Sequence, residues 1–499
     1  MGSRTVYLTG IIALCSIVGA ASAYAQLRQG GTSNANAFAA CPDSATAPQA
    51  ISTPCVSIVQ FDAATSPAER QASVRQSGAV LRFNYGIMNA AAVLIPNARS
   101  YQTLASQQNV LRLIPDLRVQ AFKKPAGVGG GNSGGTTSTS QTVPAGVARI
   151  NASQVWSNVT GKGVVVAVLD TGLDLNHEDL KGNIVGGATC LGTSEYPDAT
   201  SCVEDGGMDD EGHGTHVGGI IAAMNNSVDV VGVAPEASLY SVKVLDSTGN
   251  GYDSNVIAGL DWVANHTTAR VVNMSLGRPN ADITPGVESQ GCLDPTYDPG
   301  AVAIRSAIQV LKSMNVTVVV AAGNDNSKEV KDMVPAGCPE VLAVASTTAK
   351  LGTSSCKIIP AGVPADAASY FTTDGKLSDP PVGVGVTISA PGETEEDNSC
   401  AQLKFNGILS LALGGGTVKM SGTSMASPHV AGVAALMLEA NPNLCPNEIR
   451  AILRQSAQLV GNAPLINPYL TDSWDGENEG IVDAYTAVGG TNTNACPSS

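Results

Sequence analysis

The sequence predicts an α/β fold with a mostly parallel central sheet, preceded by a small α+β unit. Valine-rich strands alternate with longer helical patterns in the second part of the chain, as in parallel sheets that helices cover on both faces. Residues 128–141 are almost entirely Gly, Ser, Thr, Asn and Val, which is typical of a flexible linker between two folded units. The 54 glycines and the 14% of charged residues suit a compact protein with many tight turns.

Composition also limits the function. With 499 residues and 43% hydrophobic residues, the chain can bury a large core. Its net charge of −15 argues against nucleic acid as a partner, because phosphate binding requires a basic surface.

Residues 1–25 are typical of a secretory signal peptide. Arg4 precedes an apolar stretch at 6–20, and Ala23-Tyr24-Ala25 supplies small residues for cleavage after Ala25. A membrane anchor is the alternative, but the apolar stretch is short for a spanning helix. We therefore expect a secreted, extracellular chain with no membrane association after signal removal, and a spacer at residues 26–49.

The cysteine content predicts disulfide bonds. Eleven cysteines occur, and one of them, Cys15, is removed with the signal, so an even number remains. In an exported protein this favours disulfides over metal thiolates. Short-range pairs are expected between Cys41 and Cys55 and between Cys190 and Cys202. The pairing of the remaining cysteines stays open: Cys292, Cys338, Cys356, Cys400, Cys445 and Cys496.

Upstream of the linker, the pattern predicts the order β-α-β-β-α-β. Strands are expected at 56–61, 79–83, 90–94 and 110–121, and helices at 67–77 and 100–107. This ferredoxin-like layout is common to many binding modules, so by itself it indicates no function.

Downstream of the linker, buried strands alternate with helices. Strands are expected at 163–169, 238–244, 271–276, 316–322 and 341–346, and helices at 213–224, 255–264 and 301–314. In such sheets, active groups collect at the carboxyl ends of the strands.

Three polar residues stand at the ends of these elements. Asp170 closes the first apolar strand, His213 begins a helix of small residues, and Ser424 precedes a long apolar helix that continues to Leu438. Each residue alone is equally consistent with a capping or loop role.

Two other hydrolase types fit these residues less well. Ala426 occupies a glycine position of the lipase-type GxSxG motif, and the order Asp, His, Ser differs from that fold. His213 and His216 could form a metal pair in a metallohydrolase. Their spacing lacks the intervening Glu and the further ligands of a hydrolytic zinc site, so we expect no catalytic metal.

The three motifs together resemble those of the subtilisin family, in that family's chain order. They are Asp-Thr-Gly at 170–172, His-Gly-Thr-His at 213–216 and Gly-Thr-Ser-Met-Ala-Ser-Pro-His at 422–429. The resemblance extends over about residues 141–485. It implies a subtilisin-like three-layer fold and a serine endopeptidase.

The resemblance also implies a role for each catalytic residue. Ser424 is the nucleophile that forms an acyl-enzyme, His213 the general base and then acid, and Asp170 the carboxylate that orients the imidazole. Asn324, which ends Ala-Ala-Gly-Asn at 321–324, resembles the oxyanion-hole amide that acts with the backbone N–H of Ser424. Without the other motifs, Asn324 would be interpreted as a turn residue.

A peptide-binding edge and a specificity pocket follow from the same resemblance. The edge that pairs with an extended peptide consists of Ser275, Leu276 and Gly277. Ala322 and Gly323 form the opposite wall of the S1 pocket. Met333 stands where many relatives carry a small residue at the pocket floor, so we expect a shallow pocket that prefers medium-sized P1 side chains.

A further set of residues resembles the family's tight calcium loop. Oxygen ligands from one carboxylate, two amides and backbone carbonyls suit Ca²⁺, and the alternative is a solvated turn. The expected structural calcium ligands are Asp179, Gln141, Asn226, Met224, Val228 and Val230.

The upstream unit, residues 50–122, resembles the inhibitory propeptide that assists folding of these enzymes. Autocleavage is expected in the linker at 123–140, near Ser140, or first nearer Phe122 with later trimming. The peptidase domain is then 141–490 and the tail 491–499. Expected partners are peptide or protein substrates and the chain's own propeptide, with a monomer as the oligomeric state. The alternative function is a catalytically silent binding protein of the same fold.

Overall fold

The computed structural model describes residues 38–46, 51–122, 140–192, 201–281, 291–357, 362–375, 377, 383–399, 403–459 and 479–489. The chain divides into two compact units, Met1–Ala39 and Ala40–Ser499, and only Phe38 and Ala39 of the first unit are described. The predicted signal peptide, linker residues 123–139 and the tail at 491–499 lie outside the described residues.

The described strands are β1 (Ala39–Ala40), β2 (Cys55–Phe61), β3 (Val80–Asn84), β4 (Ala90–Ile95), β5 (Val110–Pro115), β6 (Arg118–Ala121), β7 (Val165–Asp170), β8 (Ile184–Thr189), β9 (Ser238–Lys243), β10 (Asn250–Tyr252), β11 (Val271–Met274), β12 (Leu276–Pro279), β13 (Thr317–Ala321), β14 (Met333–Val334), β15 (Leu342–Thr348), β16 (Ile388–Asn398), β17 (Leu403–Leu411) and β18 (Thr417–Met420).

The described α-helices are α1 (Pro67–Ser77), α2 (Ala98–Ala105), α3 (Ala145–Arg149), α4 (His213–Ala222), α5 (Asp253–His266), α6 (Pro299–Ser313), α7 (Thr423–Ala440), α8 (Pro446–Ser456) and α9 (Ala484–Gly489). Short 3₁₀ helices occupy Ser44–Thr46, Ala152–Gln154 and Val330–Asp332.

The N-terminal sheet has the order β3-β4-β2-β5, with antiparallel pairing throughout. Helix α1 begins with a capping box, in which the Glu69 N–H donates to Ser66 Oγ and the Ser66 N–H donates to Glu69 Oε2. It ends at Gly78, whose φ of 78° is the left-handed conformation that favours glycine. The predicted element order is present, except that the last extended segment is two strands.

The central sheet confirms the predicted α/β class. Its order is β18-β17-β16-β15-β13-β11-β7-β9-β8. The seven strands that are neighbours in this order from β16 to β8 run parallel to one another. Strands β17 and β18 add an antiparallel edge. The sheet is therefore mostly parallel.

Helices cover both faces of this sheet, which gives three layers. Alternate residues of β7 point to opposite faces, because side chains alternate along a strand. Ala167 and Leu169 pack in one core with residues of α5 and α6. Val166 and Val168 pack in the other with residues of α4 and α7. The two cores hold α4, α7 and the end of β7 in fixed positions, which matters for the site below.

Strand β6 follows β5 in the chain but does not belong to the N-terminal sheet. It pairs with strands that lie downstream of the linker. It lies in a small sheet with the order β10-β6-β12-β14. Its neighbours β10 and β12 are both antiparallel to it.

Disulfides join Cys41 to Cys55 and Cys190 to Cys202, as predicted. A third joins Cys292 to Cys338, a pair that the sequence left open, and Cys356 and Cys445 are also disulfide-bonded. None of the described helices is long and apolar enough to cross a membrane.

Candidate active site

Asp170 and His213 meet at the carboxyl edge of the central sheet. Asp170 is the last residue of β7, and His213 is the first residue of α4. Asp170 Oδ1 lies 2.8 Å from His213 Nδ1, and both side chains are buried. A β-carbon at Gly214 would lie 2.1 Å from Gly172 O, so glycine is required for α4 to approach the end of the strand this closely.

Ser424 lies at the end of the neighbouring strand β11. In the register of β7 and β11, Leu169 pairs with Met274, so Asp170 and Ser275 follow on neighbouring strands. Ser424 Oγ is 3.1 Å from Ser275 O and 3.0 Å from the carbonyl oxygen of Phe122. His213 Nε2 is buried and makes no hydrogen bond within the described residues. The site thus contains a hydroxyl and an unpaired imidazole nitrogen, while the other imidazole nitrogen is bound to a carboxylate.

Asn324 lies on the same carbonyl group. Its Nδ2 donates to Phe122 O at 2.6 Å. Its Oδ1 accepts from the backbone N–H and from the hydroxyl of Thr423, each at 2.9 Å. Because Thr423 supplies two donors to Oδ1, the NH₂ group is turned toward Phe122 O.

Strand β6 occupies the position that the resemblance assigns to an extended peptide. The backbone N–H of Phe122 donates to Ser275 O at 3.3 Å, and that of Ala121 donates to Gly249 O at 2.9 Å. The pairs in register are Gly251 with Val119, Leu276 with Ala121 and Gly277 with Gln120. Ser275, Leu276 and Gly277 therefore contact a segment of the chain itself.

The ring of Phe122 is buried beside Gly277. A β-carbon at Gly277 would lie 2.5 Å from Phe122 Cζ, so the ring needs glycine there. Met333 is also buried, and its Cε lies 3.0 Å from the place of a β-carbon at Gly323. The expectation of a shallow pocket for medium-sized P1 side chains stays a prediction. It contrasts with the burial of Phe122, whose carbonyl oxygen lies 3.0 Å from Ser424 Oγ and whose surface is 5% exposed.

Gly323 and Ala322 follow β13 on the other side of the site. Gly323 has a φ of 124°, and its N–H donates to Thr423 Oγ1 at 3.2 Å. The Ala322 N–H donates to Val344 O of the neighbouring strand at 3.0 Å. These bonds fix the turn that carries Asn324.

Two residues that support this turn escaped the sequence analysis. Thr423 lies inside the motif at 422–429, directly before Ser424, so its position in the sequence could have indicated a role near the site. Thr373 was not detectable, because it belongs to an insert without motif. Its N–H donates to Gly323 O at 2.9 Å, and its hydroxyl accepts from the Asp325 N–H at 3.2 Å.

The predicted calcium loop brings oxygen atoms together around the side-chain amide of Gln141. Its Nε2 contacts Met224 O at 2.6 Å, Asn226 Oδ1 at 3.5 Å, Val228 O at 3.2 Å and Val230 O at 2.9 Å. Turning the amide over about its last bond exchanges Nε2 and Oε1, so that only oxygens face this point. A cluster of carbonyl and amide oxygens fits the ligand preference of Ca²⁺.

Asp179 completes this loop. Its Oδ2 accepts from the Val230 N–H at 3.1 Å, whereas Oδ1 is buried without a hydrogen-bond partner among the described residues. Burial raises the pKa of Asp179 to about 7, although the Val230 N–H lowers it. A bound cation would supply the missing partner of Oδ1, so the residues present fit calcium.

The ring of His216 lies against two backbone carbonyl groups. Its Nε2 lies 3.1 Å from Ile408 O and 3.2 Å from Val418 O, which makes it a donor to backbone carbonyls. Burial lowers the pKa of His216 to about 3, so the ring is neutral. No group of three or more His, Cys, Asp and Glu that could hold a metal occurs within the described part of the chain.

Comparison with known proteins places this geometry in a family. The model of the subtilase family matches residues 161–487, which is more than half of the chain. Subtilisin NAT of Bacillus subtilis subsp. natto is 31% identical over 411 residues, which cover 82% of this chain and 86% of that protein. The thermostable alkaline protease of Halalkalibacterium halodurans is 33% identical over 361 residues, which cover 72% of this chain and 78% of that protein.

A solved structure supports the fold. Fervidolysin from Fervidobacterium pennivorans, described as a keratinolytic enzyme related to subtilisin, superposes with a TM-score of 0.61 at 21% identity. The match covers 92% of this chain but 62% of fervidolysin. It is therefore evidence of a subtilisin-like fold and not of a shared substrate. The family match and the identity with Subtilisin NAT show that the chain belongs to the subtilase family and is a subtilisin-like serine endopeptidase.

Proposed function

We propose that the chain is the secreted zymogen of this endopeptidase, with Asp170, His213 and Ser424 as its catalytic triad. One observation carries the proposal. The carbonyl oxygen of Phe122 lies within hydrogen-bonding distance of both Ser424 Oγ and Asn324 Nδ2. A peptide carbonyl between a nucleophile and an oxyanion donor has the geometry of a bond about to be cut or just cut.

In this mechanism, Ser424 Oγ attacks the carbonyl carbon while His213 Nε2 takes its proton. Asp170 accepts from Nδ1–H at 2.8 Å, which fixes the tautomer with Nε2 unprotonated and stabilises the imidazolium. Asn324 Nδ2 donates to the oxyanion. His213 then protonates the leaving amine, and an acyl-enzyme forms at Ser424. Water, deprotonated by His213, hydrolyses this ester and restores the hydroxyl.

Residues 50–122 act as the inhibitory propeptide, with Phe122 as the P1 residue of the first autocleavage. Because β6 pairs with both β10 and β12, it blocks the groove to other peptides. The expected cut near Ser140 is therefore a second, trimming cut. The peptidase domain begins at about residue 141, and it acts on peptide or protein substrates as a monomer.

Calcium is proposed as a structural ion held by Asp179, Gln141, Asn226 and the carbonyl groups of Met224, Val228 and Val230. When bound, it neutralises the buried Asp179 carboxylate and cross-links the loop to the start of the peptidase domain. It takes no part in the chemical step.

Secretion is supported by the signal-like residues 1–25 and by the disulfides. Three complete pairs occur among the described residues. Disulfides form and persist in oxidising environments outside the cytosol.

The test compares wild type with Ser424→Ala after expression of the full chain. Wild type should yield a product whose N-terminus is Lys123, or a residue near Ser140 after trimming, by N-terminal sequencing. The variant should keep the Phe122–Lys123 bond intact. A variant that matures unaided would refute autoprocessing.

A fluorophosphonate probe distinguishes the enzyme from a silent binding protein. Mature wild type should be labelled at Ser424, and Ser424→Ala should not be labelled. Wild type that resists the probe and cleaves no peptide would support the silent alternative.

A further inference from the structure

The two strands that form the walls of the peptide groove are not bonded to each other. Strand β6 lies between β10 and β12, so these walls are separated by two inter-strand spacings, about 9–10 Å. Once a peptide leaves, the main-chain hydrogen bonds that it made to both walls are lost. Another interaction must then keep β10 at the distance that fits one strand.

Arg278 of β12 is placed to supply this interaction. Its side chain is buried, with 4% of its surface exposed, and each of its five N–H donors has an acceptor. The acceptors are Asp253 Oδ1 for Nε at 2.8 Å, Asp253 Oδ2 and Asp298 Oδ1 for Nη2 at 2.7 Å and 3.0 Å, and Asp298 Oδ2 and Pro279 O for Nη1 at 2.6 Å and 3.0 Å.

Asp253 is the residue that follows β10 directly, and it begins α5. The bidentate pair between Arg278 and Asp253 therefore joins one wall of the groove to the end of the other. Asp253 also touches the bound segment, because its backbone N–H donates to Leu117 O at 2.9 Å. Bidentate pairing restrains direction as well as distance.

Asp298 anchors the same guanidinium from the opposite side. It caps α6 by accepting from the Ala301 N–H at 2.9 Å, so it ties Arg278 to a helix outside the groove. Gly300 leaves the necessary space, since a β-carbon there would lie 2.5 Å from Asp253 Oδ2 and 3.2 Å from Arg278 Nη2. The packing thus fits the ion triad closely.

We propose that Arg278 is a positioning residue that fixes the width of the peptide groove through Asp253. The proposal rests on the proposed function, in which Phe122 is P1. Strand β10 pairs with Gln120, Val119 and Arg118, which are then P3, P4 and P5. The pair between Arg278 and Asp253 favours substrates that reach these positions and leaves the P1–P2 part of the site to other residues.

The test measures kcat/KM for two chromogenic peptides on the mature enzyme. One carries Ala-Phe before the chromophore, and the other carries Arg-Val-Gln-Ala-Phe, so only the longer one reaches β10. In Asp253→Asn the ratio of kcat/KM for the longer peptide to kcat/KM for the shorter one should fall about tenfold. The fall should come mainly from a higher KM for the longer peptide, because one or two main-chain hydrogen bonds are lost. Arg278→Lys should also lower the ratio, since Lys cannot form the bidentate fork.

Two matched variants serve as controls. Asp298→Asn changes the other carboxylate of the same arginine and retains a capping side chain, so it should lower the ratio by less than Asp253→Asn does. Asp294→Asn changes a half-buried aspartate near the same helix, whose side chain accepts from the N–H and hydroxyl of Thr296, and it should leave the ratio unchanged. Arg278→Lys is measured in the same way, so the test does not depend on the yield of Asp253→Asn.

An unchanged ratio in Asp253→Asn or Arg278→Lys overturns the proposal, as does an equal loss in Asp298→Asn. Ser424 is labelled with the fluorophosphonate probe in the same samples. Failure of the proposed function appears as absent labelling of wild type. Failure of the groove proposal appears as normal labelling with an unchanged ratio.

Discussion

At the scale of single residues, the orientation of Asn324 matters most. Thr423 donates twice to its Oδ1, so Nδ2 is directed at the carbonyl of Phe122 before any charge develops. A donor held in advance needs no reorganisation during the reaction, which is why such groups contribute strongly to catalysis.

Asn324→Ala should therefore lower kcat by about 10²–10³ with little change in KM. The measurement is steady-state hydrolysis of a peptide by the mature variant, with the thermal midpoint as the control for folding. An unaltered kcat would show that Asn324 is a turn residue only.

The pocket beside Gly277 predicts the P1 preference. Because it accommodates the ring of Phe122, peptides with Phe at P1 should have a kcat/KM about 10–100 times that of otherwise identical peptides with Val. A P1 library measures this ratio. A preference for Val over Phe would support the shallow pocket that Met333 suggests.

Short motifs mark the residues proposed as catalytic, so these residues could be named from the sequence, whereas the residues that support the groove and its turns could not. Arg278 and Asp253 are 25 residues apart and lie in segments without a motif. Their contact depends on how β12 and α5 are brought together in the folded chain. Thr373 is hidden for the same reason, since a hydroxyl that supports a turn has no spacing rule.

At the scale of elements, the Val-rich strands β7, β9, β11, β13 and β15 were predictable from their continuous apolar runs. Strand β16 was not, because Pro391, Gly392 and several acidic residues interrupt the apolar pattern. Strand β8 contains Gly186 and Gly187, which lower strand propensity. Pairing with neighbours overrides these local preferences.

The split between β5 and β6 has a similar cause. One extended segment was predicted over 110–121, and local propensity gave no reason to divide it. After Pro115, the chain pairs with β10 and β12 instead of β2. The pairing partners, and not the residues of the segment, decide where the strand breaks.

Helix α4 approaches the end of β7 closely, and a substitution at Gly214 tests whether this close approach is required. Gly214→Ala places a β-carbon 2.1 Å from Gly172 O and 3.2 Å from Asp170 Cβ. Moving the helix away should cost about 1–3 kcal/mol and lower kcat, because His213 moves with it. Thermal unfolding and kcat measure both effects.

Gly489→Ala is the matched control, because no atom lies within 4 Å of its new β-carbon. It should leave both quantities unchanged. If Gly214→Ala behaves in the same way, the close approach of α4 is not required for activity.

At the scale of the whole molecule, Asp179 in the proposed calcium loop couples stability to pH. Without metal, Asp179 keeps its proton up to about pH 7 in the folded protein, whereas in the unfolded chain it ionises above about pH 4. Its raised pKa means that the metal-free protein loses stability as the pH rises from about 4 to about 7. In the proposed site calcium binds the ionised carboxylate, so stabilisation by calcium should grow over the same pH range.

The measurement is the thermal midpoint of the mature enzyme, inactivated at Ser424, in calcium and in chelator between about pH 5 and about pH 8. The difference between the two midpoints should increase with pH and level off above about pH 7. In Asp179→Asn the difference should be small and independent of pH. A calcium effect that is the same at every pH would contradict the assignment of Asp179.

The placement of β6 has a consequence for how this enzyme can evolve. In the proposed autocleavage, every molecule first recognises the sequence Leu-Arg-Val-Gln-Ala-Phe at 117–122 in its own chain before it meets any other substrate. A mutation that reshapes the groove is therefore screened at once against this internal sequence, and a groove that rejects it yields no free enzyme. A new substrate preference must therefore still accept the internal sequence, or it must arise together with a second mutation in that sequence. The groove and its first substrate are encoded in one gene and change together.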